Sequence, residues 1–161
     1  MPTVVGVFDN QNDAESAVRE IQDLGVDENN ISIVAREGNI DEDQTETGNE
    51  NINRQDLTDG AVTGGALGGI AGLLAGAGAL TIPGIGPVIA AGPISAGLTG
   101  VAAGGLAGSL VDLGIDEERG QYYEGEVKNG AILAAVEADD NNVNDIASYM
   151  RRNGARDVES H

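Results

Sequence analysis

Nucleophilic catalysis needs a side chain held beside its base, and this chain offers few of either. It has no cysteine, and its single histidine, His161, is the last residue. No Gly-x-Ser-x-Gly occurs. The one lysine, Lys128, is followed by Asn129, so the Gly-Lys-Ser/Thr of a phosphate loop is missing. Gly84-Ile-Gly86-Pro-Val-Ile89 lacks the third glycine of a dinucleotide turn. Acidic residues abound, and Asp41-x-Asp43-x-Thr45 begins like a calcium loop, yet its sixth position is Glu46 instead of Gly and its twelfth is Ile52 instead of Glu. Asp9-x-Gln11-x-Asp13 fails similarly, with Ala14 at the sixth position. Tyr122 and Tyr123 stand out in a chain with three tyrosines, one phenylalanine and no tryptophan; they read as one packed ring and one half-exposed ring. Arg151, Arg152 and Arg156 read as complements to the carboxyl end of a helix. The expectation is a non-enzymatic protein with no catalytic, cofactor or metal site.

What the spacing does specify is packing. Glycine recurs every fourth residue at Gly60, Gly64, Gly68, Gly72 and Gly76. A second series follows at Gly92, Ala96, Gly100, Gly104 and Gly108. From Gly60 to Val111 there is no charged residue, although the whole chain carries a formal charge of −19. Small residues at i and i+4 line one helix face and let another backbone approach. Counted at about 100° per residue, bulky side chains fall opposite both stripes: Leu67, Ile70 and Leu74 in the first, Ile94, Leu98 and Val101 in the second. The stretch from Leu80 to Val88 contains Pro83, Gly84, Gly86 and Pro87 and forbids a continuous helix. This predicts an antiparallel helical hairpin, roughly 61–82 and 93–113, with glycine faces together and an outer apolar face. Each helix-interior glycine costs about 1 kcal/mol relative to alanine, so close packing has to offset them. A bare apolar face of this size marks a contact surface; lipid, further copies or the rest of the chain must cover it.

The elements around this segment are easier to read. Thr3–Phe8 reads as a buried strand, followed by a helix capped by Asp9 or Asn10, with Ala14, Val18, Ile21 and Leu24 on its apolar face and Gly25 as its stop. Asn30–Arg36 reads as a second strand. After the uncharged segment, Asp116 opens a helix over 117–128 that Gly130 ends. Ala131–Ala138 is a third strand; Val143, Ile146, Ala147 and Met150 mark another helix, closed by Gly154; Arg156–Glu159 is a short fourth strand. The predicted fold class is α+β: a ferredoxin-like βαββαβ domain, with two helices on one face of a four-stranded antiparallel sheet, interrupted by the glycine-rich hairpin. Its divisions are 1–36 (β-α-β), an acidic flexible loop at 37–58, the glycine-zipper hairpin at 59–114, and 115–161 (a helix, then β-α-β). The sheet domain is expected to fold without 59–113.

VVGVFDNQNDAESAVREIQDLGVDENNISIVAR at the start, the uncharged glycine-rich middle and QYYEGEVKNGAILAAVEA at 121–138 resemble the bacterial general stress protein (heat-induced stress protein) family. The resemblance implies a stress-linked, non-enzymatic protein and supplies no catalytic residues.

The charge of −19 argues against nucleic acid and anionic lipid. Missing cysteines and the absence of an apolar leader at Met1–Gly6 suit an intracellular, cytoplasmic protein. Three functions compete. The first is a stress protein that self-associates through the glycine zipper into a homo-oligomer or larger assembly. The second is a membrane-associated protein whose hairpin enters the bilayer, which the dominance of Gly and Ala, the lack of flanking Lys/Arg or Trp/Tyr anchors and the bordering Asp59 and Asp112 oppose. The third, resting on fold analogy alone, is a ligand-sensing regulator.

Overall fold

The computed structural model describes residues 1–40, 70, 73, 77–100 and 105–161, with backbone only at 99 and 100. Within them, β1 (Thr3–Phe8) is buried at all six positions and β2 (Ile31–Arg36) at its first five. Strands buried along their whole length need cover on both faces, and both faces are covered here. Successive side chains alternate between the faces. Val4, Phe8, Ile31, Ile33, Ile132 and Val136 pack with Val18, Ile21, Ile146 and Met150 of α1 (Gln11–Asp23) and a later helix. Val5, Val7, Val34, Val88 and Leu133 pack the other way, against Ile94, Leu106, Leu110, Tyr123 and Val127.

Among the described residues, the sheet has six antiparallel strands. β3 (Gly78–Ile82) and β4 (Gly86–Ala91) form a hairpin, and β5 (Ile132–Glu137) and β6 (Arg156–Ser160) complete the order β3-β4-β2-β5-β1-β6. One layer is α1 with α5 (Val143–Arg152). The other is α2 (Pro93–Gly100), α3 (Gly105–Asp112) and α4 (Glu117–Lys128).

Local chemistry explains the regular elements. Asn10 caps α1, its Oδ1 accepting from the Asp13 amide at 2.9 Å, and Gly25, with φ +95°, ends it in the left-handed region that glycine favours. The expected acidic loop at 37–58 lies outside the described residues beyond Ile40.

Three expectations for the uncharged segment are corrected. Residues 78–82, assigned to the first helical arm, are a strand, and 86–91 is its partner. The β-branched Thr81, Ile82, Ile85, Val88 and Ile89 favour a pleated surface, and Pro83-Gly84 makes the turn, with Gly84 at φ +87° and the Ile85 amide donating to the Ile82 carbonyl at 3.1 Å. The second arm divides, α2 ending at Gly100 and α3 starting at Gly105, where φ is +57°. Finally, helices lie on both faces instead of one. The uncharged segment supplies core to the sheet, with Val88, Ile94, Leu106 and Leu110 buried in it.

Candidate association surface

The first glycine series, Gly60, Gly64, Gly68, Gly72 and Gly76, lies outside the described residues, as do Leu67, Leu74, Val101 and Gly104. Ile70 and Leu73 have helical backbone, and both are buried in the core shared with α1 and α5. Of the second series, Gly92, Ala96, Gly100 and Gly108 are among the described residues, spread over two helices and the turn before them. Gly92 precedes α2 and lies against the β2 backbone: a Cβ built there would sit 2.0 Å from the Ile31 carbonyl oxygen, and its φ is +82°. Ala96 is exposed on α2, Gly100 ends that helix, and Gly108 is half-buried on α3.

Close helix contacts do exist, through other small residues. A Cβ on Gly97 would be 3.2 Å from Ser109 Cβ, which sets the approach of α2 to α3; one on Gly120 would be 3.0 Å from the Ala107 carbonyl oxygen, which sets α3 against α4. Of the side chains assigned to an outer apolar face, the described ones, Ile70, Ile94 and Leu98, turn inward. Ile94 is fully buried and Leu98 packs on the same core. The physical reason is the second sheet face, which had no other layer to bury it.

Two polar groups from elsewhere in the chain fix these short helices. The Ile94 amide donates to the buried Ser32 hydroxyl at 3.2 Å, and the Ala107 amide to Glu124 Oε2 at 2.8 Å. Both satisfy amides that a helix start leaves without an internal partner. Glu124 lies seventeen residues from the amide it caps, so no local sequence signal announced it.

The two borders of the sheet differ sharply. At β6, Arg119 bridges to Glu159 at 2.6 Å, with its guanidinium 4.6 Å from the Tyr122 ring centre and 5.0 Å from that of Tyr123. Arg156 pairs with Asp9 at 2.7 Å and Glu126 at 2.8 Å. Arg152 pairs with Glu20 at 2.6 Å. Arg151, also in the last turn of α5, donates to the Val158 carbonyl at 3.0 Å. Arg152 and Arg156 thus act mainly through carboxylates. Tyr123 is fully buried and Tyr122 is 36% exposed. The hydrogen bond from Tyr122 to Asp157 pushes its phenol up to about 12, and burial raises that of Tyr123. Both rings stay protonated near neutrality, so neither serves as a phenolate nucleophile or base there. Asp157 adopts φ +49° beside an irregularity in the β1–β6 register, which twists this border away from regular pairing.

The β3 border has no charged residue from Gly78 to Ile82. Its backbone directions follow from its neighbour. The Pro87 carbonyl accepts from the Glu37 amide at 3.1 Å, so Pro87 faces β2. Along a strand these directions alternate, so Val88 and Ala90 face β3. The register then pairs Gly78, Leu80 and Ile82 with β4 and turns the N–H and C=O of Ala79 and Thr81 outward. Gly78, Ala79 and Thr81 are exposed, Leu80 is half-buried and Ile82 is buried.

Residues 3–82 match the family model described as the heat induced stress protein YflT domain. The chain belongs to this general stress protein family. Among curated proteins and solved structures, nothing matches. The YflT family is not a known enzyme family, and its membership gives the chain a stress-related role. The YflT match takes in β1, β2 and β3, none of which pairs with another: β5 separates β1 from β2, and β4 separates β2 from β3. The matched stretch therefore needs the residues after Ile82 to build its sheet. Among the described residues no group of acidic or histidine side chains is placed to hold a metal ion.

Proposed function

We propose that this YflT-family chain is a cytoplasmic, non-enzymatic stress protein that acts by associating with further copies of itself through its uncharged segment. Its sheet is read as a ferredoxin-like βαββαβ unit. Support comes from the order β6-β1-β5-β2, with α1 and α5 as crossovers on one face, and the segment between β2 and β5 as the insertion. The observation that carries the functional reading is the distribution of charge. A protein at −19 repels its own copies over most of its surface, yet residues 60–111 are uncharged and bring β3 to the border of the sheet.

The alternatives have less support. A ferredoxin-like ligand sensor would offer the sheet face away from α1 and α5, and here α2, α3 and α4 occupy it. A depression of about 300 Å³ at the start of α1 is lined largely by exposed polar side chains, including Asn10, Asn12 and Asn39. No helix among the described residues is long and apolar enough to cross a membrane.

Sedimentation velocity across a concentration series, at low and physiological salt, tests the proposal. Association that grows with concentration and strengthens as salt screens the carboxylates is the expected result. A monomer throughout would remove it, and co-flotation with neutral lipid vesicles would favour the membrane reading.

A further inference from the structure

The outward groups of β3 are self-complementary. We infer that β3 of one chain pairs antiparallel with β3 of a second copy, about a twofold axis at Leu80, joining two sheets into one. This rests on the self-association reading above and names its interface. With Leu80 opposite Leu80 of the second copy, Ala79 faces Thr81 and Thr81 faces Ala79. Those are the residues whose N–H and C=O point away from β4. Each Ala79–Thr81 pair exchanges two hydrogen bonds, so all four outward groups on each strand find partners. Gly78 falls opposite Ile82, so the bulkiest side chain of the strand meets the smallest residue. The two Leu80 side chains meet on the axis, on the face where Leu80 already packs against its own core. Among the described residues, nothing else pairs with the outer side of β3.

Charge selects a second copy as the occupant. Natural edge strands avoid pairing by carrying charges, prolines or bulges, and β6 has two of these, its charges and its bulge. Residues 78–82 have none of them. The pairing brings two −19 molecules together where neither strand presents a carboxylate. A five-residue ladder is a small interface, so the dimer is expected to form at about micromolar concentrations or above.

The test uses the full chain and three variants. Ala79→Pro removes a donor that β4 does not use, which an edge strand tolerates. It should weaken dimerisation by about tenfold or more while the far-ultraviolet spectrum is kept. Leu80→Cys, in a chain without cysteine, should give a disulfide-linked dimer under mild oxidation, because directly opposed residues of this kind lie about 4.5 Å apart at Cα. Val111→Cys, 44% exposed on α3, is the control and should cross-link far less. If Ala79→Pro fails to fold, cross-linking of folded Leu80→Cys decides alone. A parent chain that stays monomeric overturns this inference together with the reading beneath it. A parent that dimerises while Ala79→Pro dimerises equally and Leu80→Cys does not cross-link overturns the β3 interface alone. That second outcome leaves self-association standing.

Discussion

The two helical layers on this sheet are built on different principles. α1 and α5 are amphipathic: charged or amide side chains face water, and Val18, Ile21, Ile146 and Met150 reach into the sheet. α1 carries its own start signal in Asn10. α2 and α3 are eight residues each and rich in glycine, too short and too poor in helix formers to persist alone. They are held by a hydroxyl from β2, a carboxylate from α4 and close contacts at Gly97 and Gly120. One layer is specified locally, the other by the surface it covers. The first should therefore tolerate small changes, whereas the second should fail wherever a close approach is blocked.

Gly92→Val breaks this contrast most severely. Its side chain has no room beside the Ile31 carbonyl, and the backbone at φ +82° resists any β-branched residue. Loss of cooperative unfolding in circular dichroism is expected; a melt within a few degrees of the parent would mean that the glycine-rich layer is not anchored there. Leu106→Ala comes next, with a cost of about 2–5 kcal/mol from a fully buried site. Ile146→Ala in the other layer should cost about as much. Urea midpoints compare the two, and a loss below about 1 kcal/mol for Leu106→Ala alone would make its layer peripheral.

Two glycines on α4 sharpen the comparison by sign. Gly125 has open space around it, so Gly125→Ala should stabilise by about 0.5–1 kcal/mol. Gly120 faces the Ala107 backbone, so Gly120→Ala should destabilise by about 1–3 kcal/mol. Equal signs in thermal melts would remove the close α3–α4 contact from the account.

The smallest effect lies at β6. The Tyr122 phenol is raised from its ordinary value near 10 to about 12, chiefly by its hydrogen bond to Asp157. A raised folded pKa means that the contribution is fully present below about pH 10 and is lost as pH climbs from there to about 12. Tyr122→Phe should lower the neutral midpoint slightly, by an amount that solvent screening at this exposed site keeps small, and flatten the fall above about pH 10 so that the two curves converge near pH 12. An unaltered alkaline limb would show that the hydrogen bond contributes nothing.

Much of the first layer, and α4 of the second, could be read from sequence because their signals are local. Thr3–Phe8 emerged as the observed strand, and Gly25, Gly130 and Gly154 follow helices α1, α4 and α5, each at positive φ. The uncharged segment was misread for a physical reason. The four-residue glycine spacing carried the first arm on to residue 82, where Thr81 and Ile82 favour strand, and left Val88 and Ile89 in the break between the arms. The turn chemistry at Pro83-Gly84 was visible, but it was assigned to a break between helices. Which face Ile94 and Leu98 bury could not be learned from a pattern apolar all round; that depended on a sheet face formed by β1, β2 and β5. The outward groups of Ala79 and Thr81 were equally hidden, since they follow from register and from the direction in which Pro87 faces.

Thr3 and His161 exchange two backbone hydrogen bonds, each 2.9 Å long. The two bonds hold the start of β1 beside the residue after β6, along a seam at the β1–β6 border. A circularly permuted chain, joined across that seam by a short linker and reopened in the turn at Gly84, should keep every strand neighbour. Any domain or tag fused before β1 or after β6 leaves from that seam, about 19–24 Å across the sheet from β3 at ~4.8 Å per strand spacing. Covalent attachments and strand partners would thus occupy opposite rims of the molecule, and tethering one would leave the other open.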